Sequence, residues 1–134
     1  MTIIVTDQGF TPATPQDFVP LAEVDRHTGA VDLANTDTAQ GLHTHLSSLR
    51  LIRIAFPVVS DGRGFTLARR LREMGYAGTL RAAGALVADQ YAMARRVGFD
   101  EVEISDETAA RQPAGQWAFR ADWQAHHYQA RLRA

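Results

Sequence analysis

The sequence contains no cysteine and no lysine. The first absence removes disulfides, thiolate catalysis, thiol redox relays and cysteine-ligated iron–sulfur clusters. Any redox chemistry would have to run on a borrowed carrier. The second absence removes Schiff-base lysines and the lysine of a phosphate loop. All 14 basic residues are therefore arginine. Arginine grips planar anions through a two-pronged fork, although genomic base composition explains the same bias more simply. Net charge is also nearly absent: at −1, no global field draws the chain to nucleic acid or an anionic membrane. No apolar run approaches the roughly 20 residues of a bilayer span. Residues 1–7 lack the basic start and apolar stretch of a signal peptide. These absences together point to a cytoplasmic protein.

What is present suits one folded domain. Hydrophobic content of 46% and charged content of 22% over 134 residues are ordinary for a globular chain. Such a chain buries roughly two-thirds of its unfolded surface, enough to need no metal or disulfide.

The central part, residues 49–105, reads as a βαβαβ core. The apolar run 51–56 predicts a strand. Residues 65–74 predict a helix with Leu67, Leu71 and Met74 on one face and Gly75 as its stop. A second strand follows at 79–83, then a second helix at 86–97 stopped by Gly98. A third strand at 99–104 alternates Val102 and Ile104 with acids. Strands separated by helices of about ten residues argue for parallel pairing with right-handed crossovers.

Residues 1–48 form an N-terminal arm and first helix. Short strands are expected at 3–5 and 31–33, with turns at Gln8-Gly9 and breaks at Pro12, Pro15 and Pro20. A helix capped within 35–38 should run through Leu42, Leu46 and Leu49. Residues 106–134 give a loop at 113–115 and a helix from Arg120, with Ala121, Ala125, Tyr128 and Leu132 on one stripe. The fold class is α/β: a small, mainly parallel sheet of βα units in a single domain. A full eight-fold barrel needs upward of about 200 residues, so the sheet is either open or a partial barrel. A partial barrel exposes strand edges and an apolar face, which the tail or a homodimer would cover.

In open α/β sheets ligands gather at the carboxyl ends of strands. Asp61-Gly62-Arg63-Gly64-Phe65 stands at such an end. The N–H groups of Gly62 and Gly64, a helix tip and Arg63 would cradle an anion. The plainer reading is a tight turn, with Asp61 capping the helix and the glycines at positive φ. It is no dinucleotide fingerprint, because Leu67 stands where the third glycine belongs. Arg81, Gly84, Asp89 and Gln90 belong to the next strand and the turn after it, at the same sheet edge. Arg81 either faces a site or pairs with a carboxylate such as Asp89. Asp89 equally suits the helix dipole. The candidate ligand site therefore comprises Asp61, Gly62, Arg63, Gly64, Arg81, Gly84, Asp89 and Gln90.

Other groups read more weakly. His43, His45, His126 and His127 lack the i, i+4 spacing of a helical metal pair, so no metal site is assigned. Glu101, Glu103, Asp106 and Glu107 can hold a cation but read more simply as a solvated strand edge and a helix start. Trp117, Trp123 and Tyr128 suit docking on the core, or stacking on a planar ligand or a partner. No serine–histidine–acid set or paired carboxylates can be read, so catalytic residues stay unassigned.

Phe56-Pro57 and residues 61–72 carry a resemblance that continues through 78–84, Asp89-Gln90 and 95–100, and ends faintly at Tyr128-Gln129. There the sequence resembles the bacterial domain of unknown function 934 family, often labelled an oxidoreductase of sulfite reduction. The likeness covers about half the chain. Its motif positions match at Asp61, Gly62, Arg63, Gly64, Arg69, Arg81, Gly84, Asp89, Gln90, Gly98, Phe99 and Asp100, while Val58-Val59-Ser60 departs from the pattern. The resemblance implies an accessory role in assimilatory sulfate reduction, beside sulfite reductase or phosphoadenylyl-sulfate reductase. It supplies no catalytic residue and no cofactor. An oxidoreductase with a borrowed flavin or nicotinamide, and a non-catalytic interaction subunit, are the competing classes.

Overall fold

A computed structural model describes residues 2–58, 61–119 and 121. Seven strands form one sheet: β1 (Thr2–Thr6), β2 (Gly9–Pro12), β3 (Val19–Pro20), β4 (Ala30–Leu33), β5 (Leu51–Phe56), β6 (Thr79–Gly84) and β7 (Glu101–Ser105). Among the described residues four α-helices accompany them: α1 (Arg63–Glu73), α2 (Tyr91–Val97), α3 (Asp106–Arg111) and α4 (Ala114–Ala118). The strand order is β2-β1-β7-β6-β5-β4-β3. Strands β3 to β7 are parallel neighbours in chain order, and β1 runs antiparallel to β7 and β2. The chain is thus a single small α/β domain with an open, mostly parallel sheet, as its alternating pattern requires.

Sequential parallel strands joined by right-handed crossovers send every connection to the same face. Val31, Leu33, Ile52, Ile54, Phe56, Leu80, Ala82, Val102 and Ile104 form that face and pack against Leu67, Ala68 and Leu71 of α1 and Tyr91, Ala94 and Val97 of α2. The alternate positions turn the other way and, apart from Ile4 and Leu51, are charged or small: Asp32, Arg53, Ala55, Arg81, Ala83, Glu101 and Glu103 among them.

That second face is concave. In a flat sheet, six strand spacings of about 4.8 Å would separate β2 from β3 by roughly 29 Å. Ala13 still donates its N–H to Thr2 O at 3.1 Å. The six steps from there to Val19 reach roughly 22 Å at most. The sheet must therefore curl, and the linker crosses the hollow side, where Phe18 lies under the Arg53 guanidinium at 3.8 Å from ring centroid to carbon. The curl explains why Ile4, Ala30 and Leu51 are buried on a face with no helix of its own. The two edges do not pair, so the sheet remains open. One edge is β3, a two-residue strand ending in Pro20, which cannot donate to a further strand.

Three expectations fail locally. The helix through Leu42, Leu46 and Leu49 does not form: a 3₁₀ turn at Ala39–Leu42 runs into hydrogen-bonded turns, His45 N to Leu42 O and Ser48 N to His45 O. The leucine spacing is helical, but Gly41 and the His-Thr-His and Ser-Ser pairs are poor helix formers. The second helix starts later than predicted, at Tyr91, after a 3₁₀ turn at Ala88–Gln90. The predicted loop at 113–115 is a break between two short helices. Ser105 caps α3 by accepting Thr108 N–H at 3.1 Å, and Pro113 separates it from α4. Trp117 docks on the core: it is buried, meets the Tyr91 ring edge-on at 6.1 Å, and donates Nε1–H to Gln112 O at 2.8 Å. The helix expected from Arg120, with Trp123, Tyr128 and His126-His127, lies outside the described residues. Among the described residues no helix is long and apolar enough to cross a membrane.

Candidate functional site

The carboxyl ends of β5 and β6 are level, with Phe56 opposite Gly84. Gly84 has φ +122°, and a Cβ there would stand 2.5 Å from Phe56 O. Only glycine fits, and Ala85 N–H can then reach Phe56 O at 2.7 Å. The loops after β5 and β6 do open on one rim. The chemistry at that rim divides over three places.

The first is the start of α1. Asp61 accepts the Arg63 backbone N–H at 3.1 Å, Arg63 Nε at 3.0 Å and Nη2 at 2.6 Å, and the Asn35 amide at 2.6 Å. The Arg63 side chain foremost, then its backbone N–H, holds the Asp61 carboxyl down to about 2. The anion at this helix tip is thus the chain's own carboxylate. The glycines do not take positive φ as expected. Gly62 is the N-cap at φ −88°, and Gly64 lies in the first helical turn. Gly64 is small for packing: a Cβ would fall 2.4 Å from the Phe56 ring.

Beside this turn, a groove of about 550 Å³ runs between α1 and the 35–40 segment. Arg63, Thr66 and Arg70 line one wall, Asn35, Asp37, Thr38 and Gln40 the other, with Leu67 and Ala39 as apolar floor. Arg63 and Arg70 are seven residues apart, two turns, and so share a side of the helix. Arg70 has no ion-pair partner among the described residues.

The second place is the concave face, which takes Arg81 away from the rim. Arg81 donates Nε–H to Glu101 at 2.9 Å and Nη1–H to Glu103 at 3.0 Å, and its side chain is only 12% exposed. The expected pairing with Asp89 is replaced by these neighbours on β7, because Arg81 and Glu101 are in register across the strands. Arg53 holds Asp32 in a two-pronged grip at 2.6 and 2.7 Å and reaches Glu103 at 3.2 Å. The hydrogen bond to Asp32 raises the Arg53 guanidinium further above its ordinary value, against the pull of burial. Thr2 Oγ1 donates to Glu103 at 3.1 Å. Glu103, expected on a solvated edge, is therefore a buried hub. Asp106 and Glu107 stand where expected, in the first turn of α3.

The third place holds Asp89 and Gln90. Gln90 Oε1 accepts Val87 N–H at 3.0 Å. Asp89 borders a separate hollow with Gly115 and Gln116. Asp61, Gly62, Arg63 and Gly64 are thus gathered, Gly84 is next to them on the rim, and Arg81, Asp89 and Gln90 are elsewhere.

Sequence reasoning passed over Asn35, Thr66, Arg70, Asp32 and Arg53. Two signals were available: Arg70 repeats Arg63 at helical spacing, and Arg53 sits between Ile52 and Ile54 just as Arg81 sits between Leu80 and Ala82. A further polar cluster offers no nucleophile. His27 Nδ1 accepts Gly29 N–H at 2.9 Å, which leaves the proton on Nε2, directed at Ser48 Oγ at 3.0 Å. Ser48 donates in turn to His45 O at 2.9 Å. The imidazole is therefore no base toward Ser48. Among the described residues no group of three or more His, Cys, Asp or Glu is placed to hold a metal ion.

Fold and sites together define a small single-domain α/β protein with an open, mostly parallel sheet whose polar groups divide between the rim and the concave face. The chain belongs to the family of bacterial proteins of unknown function DUF934, whose sequence model matches residues 30–134. No curated protein and no solved structure matches it.

Proposed function

We propose that the protein is an accessory protein of assimilatory sulfate and sulfite reduction that binds an oxyanion or a phosphorylated ligand in the groove along α1. The observation that carries the ligand reading is the placement of Arg63 and Arg70 on one wall of that groove, facing Asn35, Thr38 and Gln40, with Asp37 on the same wall as these three, turned to the Ala34 N–H. Guanidiniums grip tetrahedral oxyanions through paired N–H groups, and amide and hydroxyl groups complete the shell. Arg63 spends Nε and Nη2 on Asp61 and keeps Nη1 for a ligand, its side chain 60% exposed. Leu67 and Ala39 would take the less polar part of the molecule.

The sulfur pathway, and with it docking on sulfite reductase or another sulfate-assimilation enzyme, enters from the family likeness; a cytoplasmic setting and pairing with a second copy of the chain come from the sequence patterns and the exposed sheet edges. Binding, not turnover, is the reading favoured, because no nucleophile–base pair is found among the described residues. A borrowed flavin or nicotinamide cofactor would place its phosphate in the same groove.

Calorimetric titration with sulfate, sulfite, phosphate, flavin mononucleotide and NADPH tests this. At least one anion should bind one-to-one, and Arg63→Ala or Arg70→Ala should weaken it by on the order of 1–3 kcal/mol. Failure of every anion to bind would remove the ligand reading. Tight binding of the flavin with a bound-state visible spectrum would move the protein to the oxidoreductase class. Co-purification with sulfite reductase would support the accessory role.

A further inference from the structure

We propose that the concave face of the sheet holds a second site, for a small organic cation bearing an ammonium or guanidinium group. A cavity of about 790 Å³ opens there at the carboxyl ends of the central strands, on the side away from α1 and α2. The volume falls in the range of small-molecule pockets, about 300–1,000 Å³. The register creates the space. The row carrying Asp32, Arg53, Arg81 and Glu101 is filled by long side chains, but in the next row Ala55 faces Ala83, followed by Gly84 and Ala85. Above the middle of the charged ladder the wall is therefore made of methyl groups and backbone, with Glu103 beside Ala83 in the same row.

The lining charge selects the ligand. Asp32, Asp37 and Glu103 line the cavity against Arg53, and Arg81 adds a second guanidinium on Glu103, so that three carboxylates meet two guanidiniums; Asp37 also borders the α1 groove. Arg53 is committed, with Nε and Nη2 on Asp32, Nη1 on Glu103, and the Phe18 ring against its plane. The charged donor in the wall is thus spent. Glu103 is spent as well, with Arg53 and Arg81 on Oε1 and Thr2 and Arg53 on Oε2. Asp32 and Asp37 are not, since each carboxylate oxygen can take more than one hydrogen bond. Asp32 is the most open of these groups facing Arg53, its side chain 38% exposed. In a part-enclosed hollow the surplus negative charge repels the oxyanions sought in the α1 groove and attracts a cation. The alanine wall suits the methylene chain of an alkyl amine. A bare metal ion is not the occupant favoured, as no ligand cluster of the required kind exists among the described residues.

The probes are putrescine and agmatine, with 1,4-butanediol as the uncharged match for putrescine, titrated into the full chain by calorimetry. One-to-one binding of a cationic probe, weakened by added salt and absent for the diol, is expected. Ala55→Leu should abolish it by filling the cavity from an exposed position. Asp37→Asn keeps an oxygen for the Ala34 N–H it now accepts, and should weaken the probe by about tenfold or more through loss of one charged partner. Sulfate binding in the α1 groove should be unchanged by Ala55→Leu, which separates the two sites. If Ala55→Leu fails to fold by circular dichroism, Ala83→Leu fills the same space from the next strand. No saturable binding of either cation, equal binding of the diol, or undiminished binding in the filled-cavity variant overturns the proposal.

Discussion

Arg53 and Arg81 face each other in register on β5 and β6, and one oxygen of Glu103, Oε1, accepts a hydrogen bond from both, at 3.2 and 3.0 Å. Like charges directly opposed on neighbouring strands repel. Glu103 converts the clash into a bridge, while Asp32 and Glu101 neutralise the two ends. Removing the bridge leaves two arginines facing each other on a concave wall. Glu103→Gln should therefore destabilise the fold by about 3 kcal/mol, the lower end of the range for stripping one partner from a buried pair. The lower end applies because Arg53 is still 24% exposed. Urea unfolding reads the loss; a midpoint equal to that of the parent would show the bridge to be ornamental.

Gly62 and Gly64 stand two residues apart in the same turn and should answer differently to alanine. A Cβ on Gly62 would meet no atom within 4 Å, and φ there is −88°. Gly62→Ala should change stability by no more than about 0.5 kcal/mol. At Gly64, helix propensity alone favours alanine by about 1 kcal/mol. The Phe56 ring 2.4 Å from the new methyl opposes it, and overpacking costs about 1–3 kcal/mol. Gly64→Ala should be a net loss. Thermal melts of the two variants decide it, and equal behaviour would mean that the turn, not the helix–strand contact, requires glycine.

The parallel core was legible because its strands and helices carry unmixed signals. Residues 51–56 are uniform enough to be a strand in any context, and Gly75 and Gly98 end their helices at φ +99° and +118°. The 42–49 segment was not legible, because its leucine spacing and its weak helix formers disagree and tertiary packing decides between them. The site was half legible. A glycine-rich turn after a buried strand locates the rim, but Asp61 lies beside Arg63 in the sequence with nothing to say that it fills the cradle itself. The ladder on the concave face was hidden for a different reason. Pairing of Arg81 with Glu101 and Glu103 depends on strand register, which a single sequence does not display, whereas Asp89 is close along the chain and was the natural guess.

Acid should act through Asp61. Its carboxyl is held at about 2 by Arg63, below the ordinary carboxylate value of 3.8. A depressed carboxyl stabilises the fold above its unfolded value, and that contribution is lost as pH falls toward 2. Asp61→Asn removes the titrating group and keeps an acceptor for the Arg63 N–H. The gap in unfolding midpoint between parent and variant should be constant above about pH 5 and close between about pH 4 and 2. A gap that persists unchanged at the acid end would assign the lowered value to some other group.

Arg72 gives the sharpest test of the helix-bearing face. Its Nε and Nη2 donate to Gly98 O at 3.0 and 2.8 Å, Nη1 donates to Tyr76 O and Gly78 O at 2.9 Å each, and Nη2 also reaches Asp100 at 2.8 Å. One planar fork thus ties the loop after α1 to the C-terminal end of α2. Lysine keeps the charge, and with it much of the attraction to Asp100, but a single ammonium cannot span carbonyls on both loops. Arg72→Lys therefore isolates the carbonyl bonds from the ion pair. With the side chain 27% exposed, their loss should cost about 3 kcal/mol, which lowers the thermal midpoint of a domain this size by on the order of 10 °C. If Arg72→Lys melts with the parent while Arg72→Met does not, charge alone holds the two loops together and the fork geometry contributes nothing.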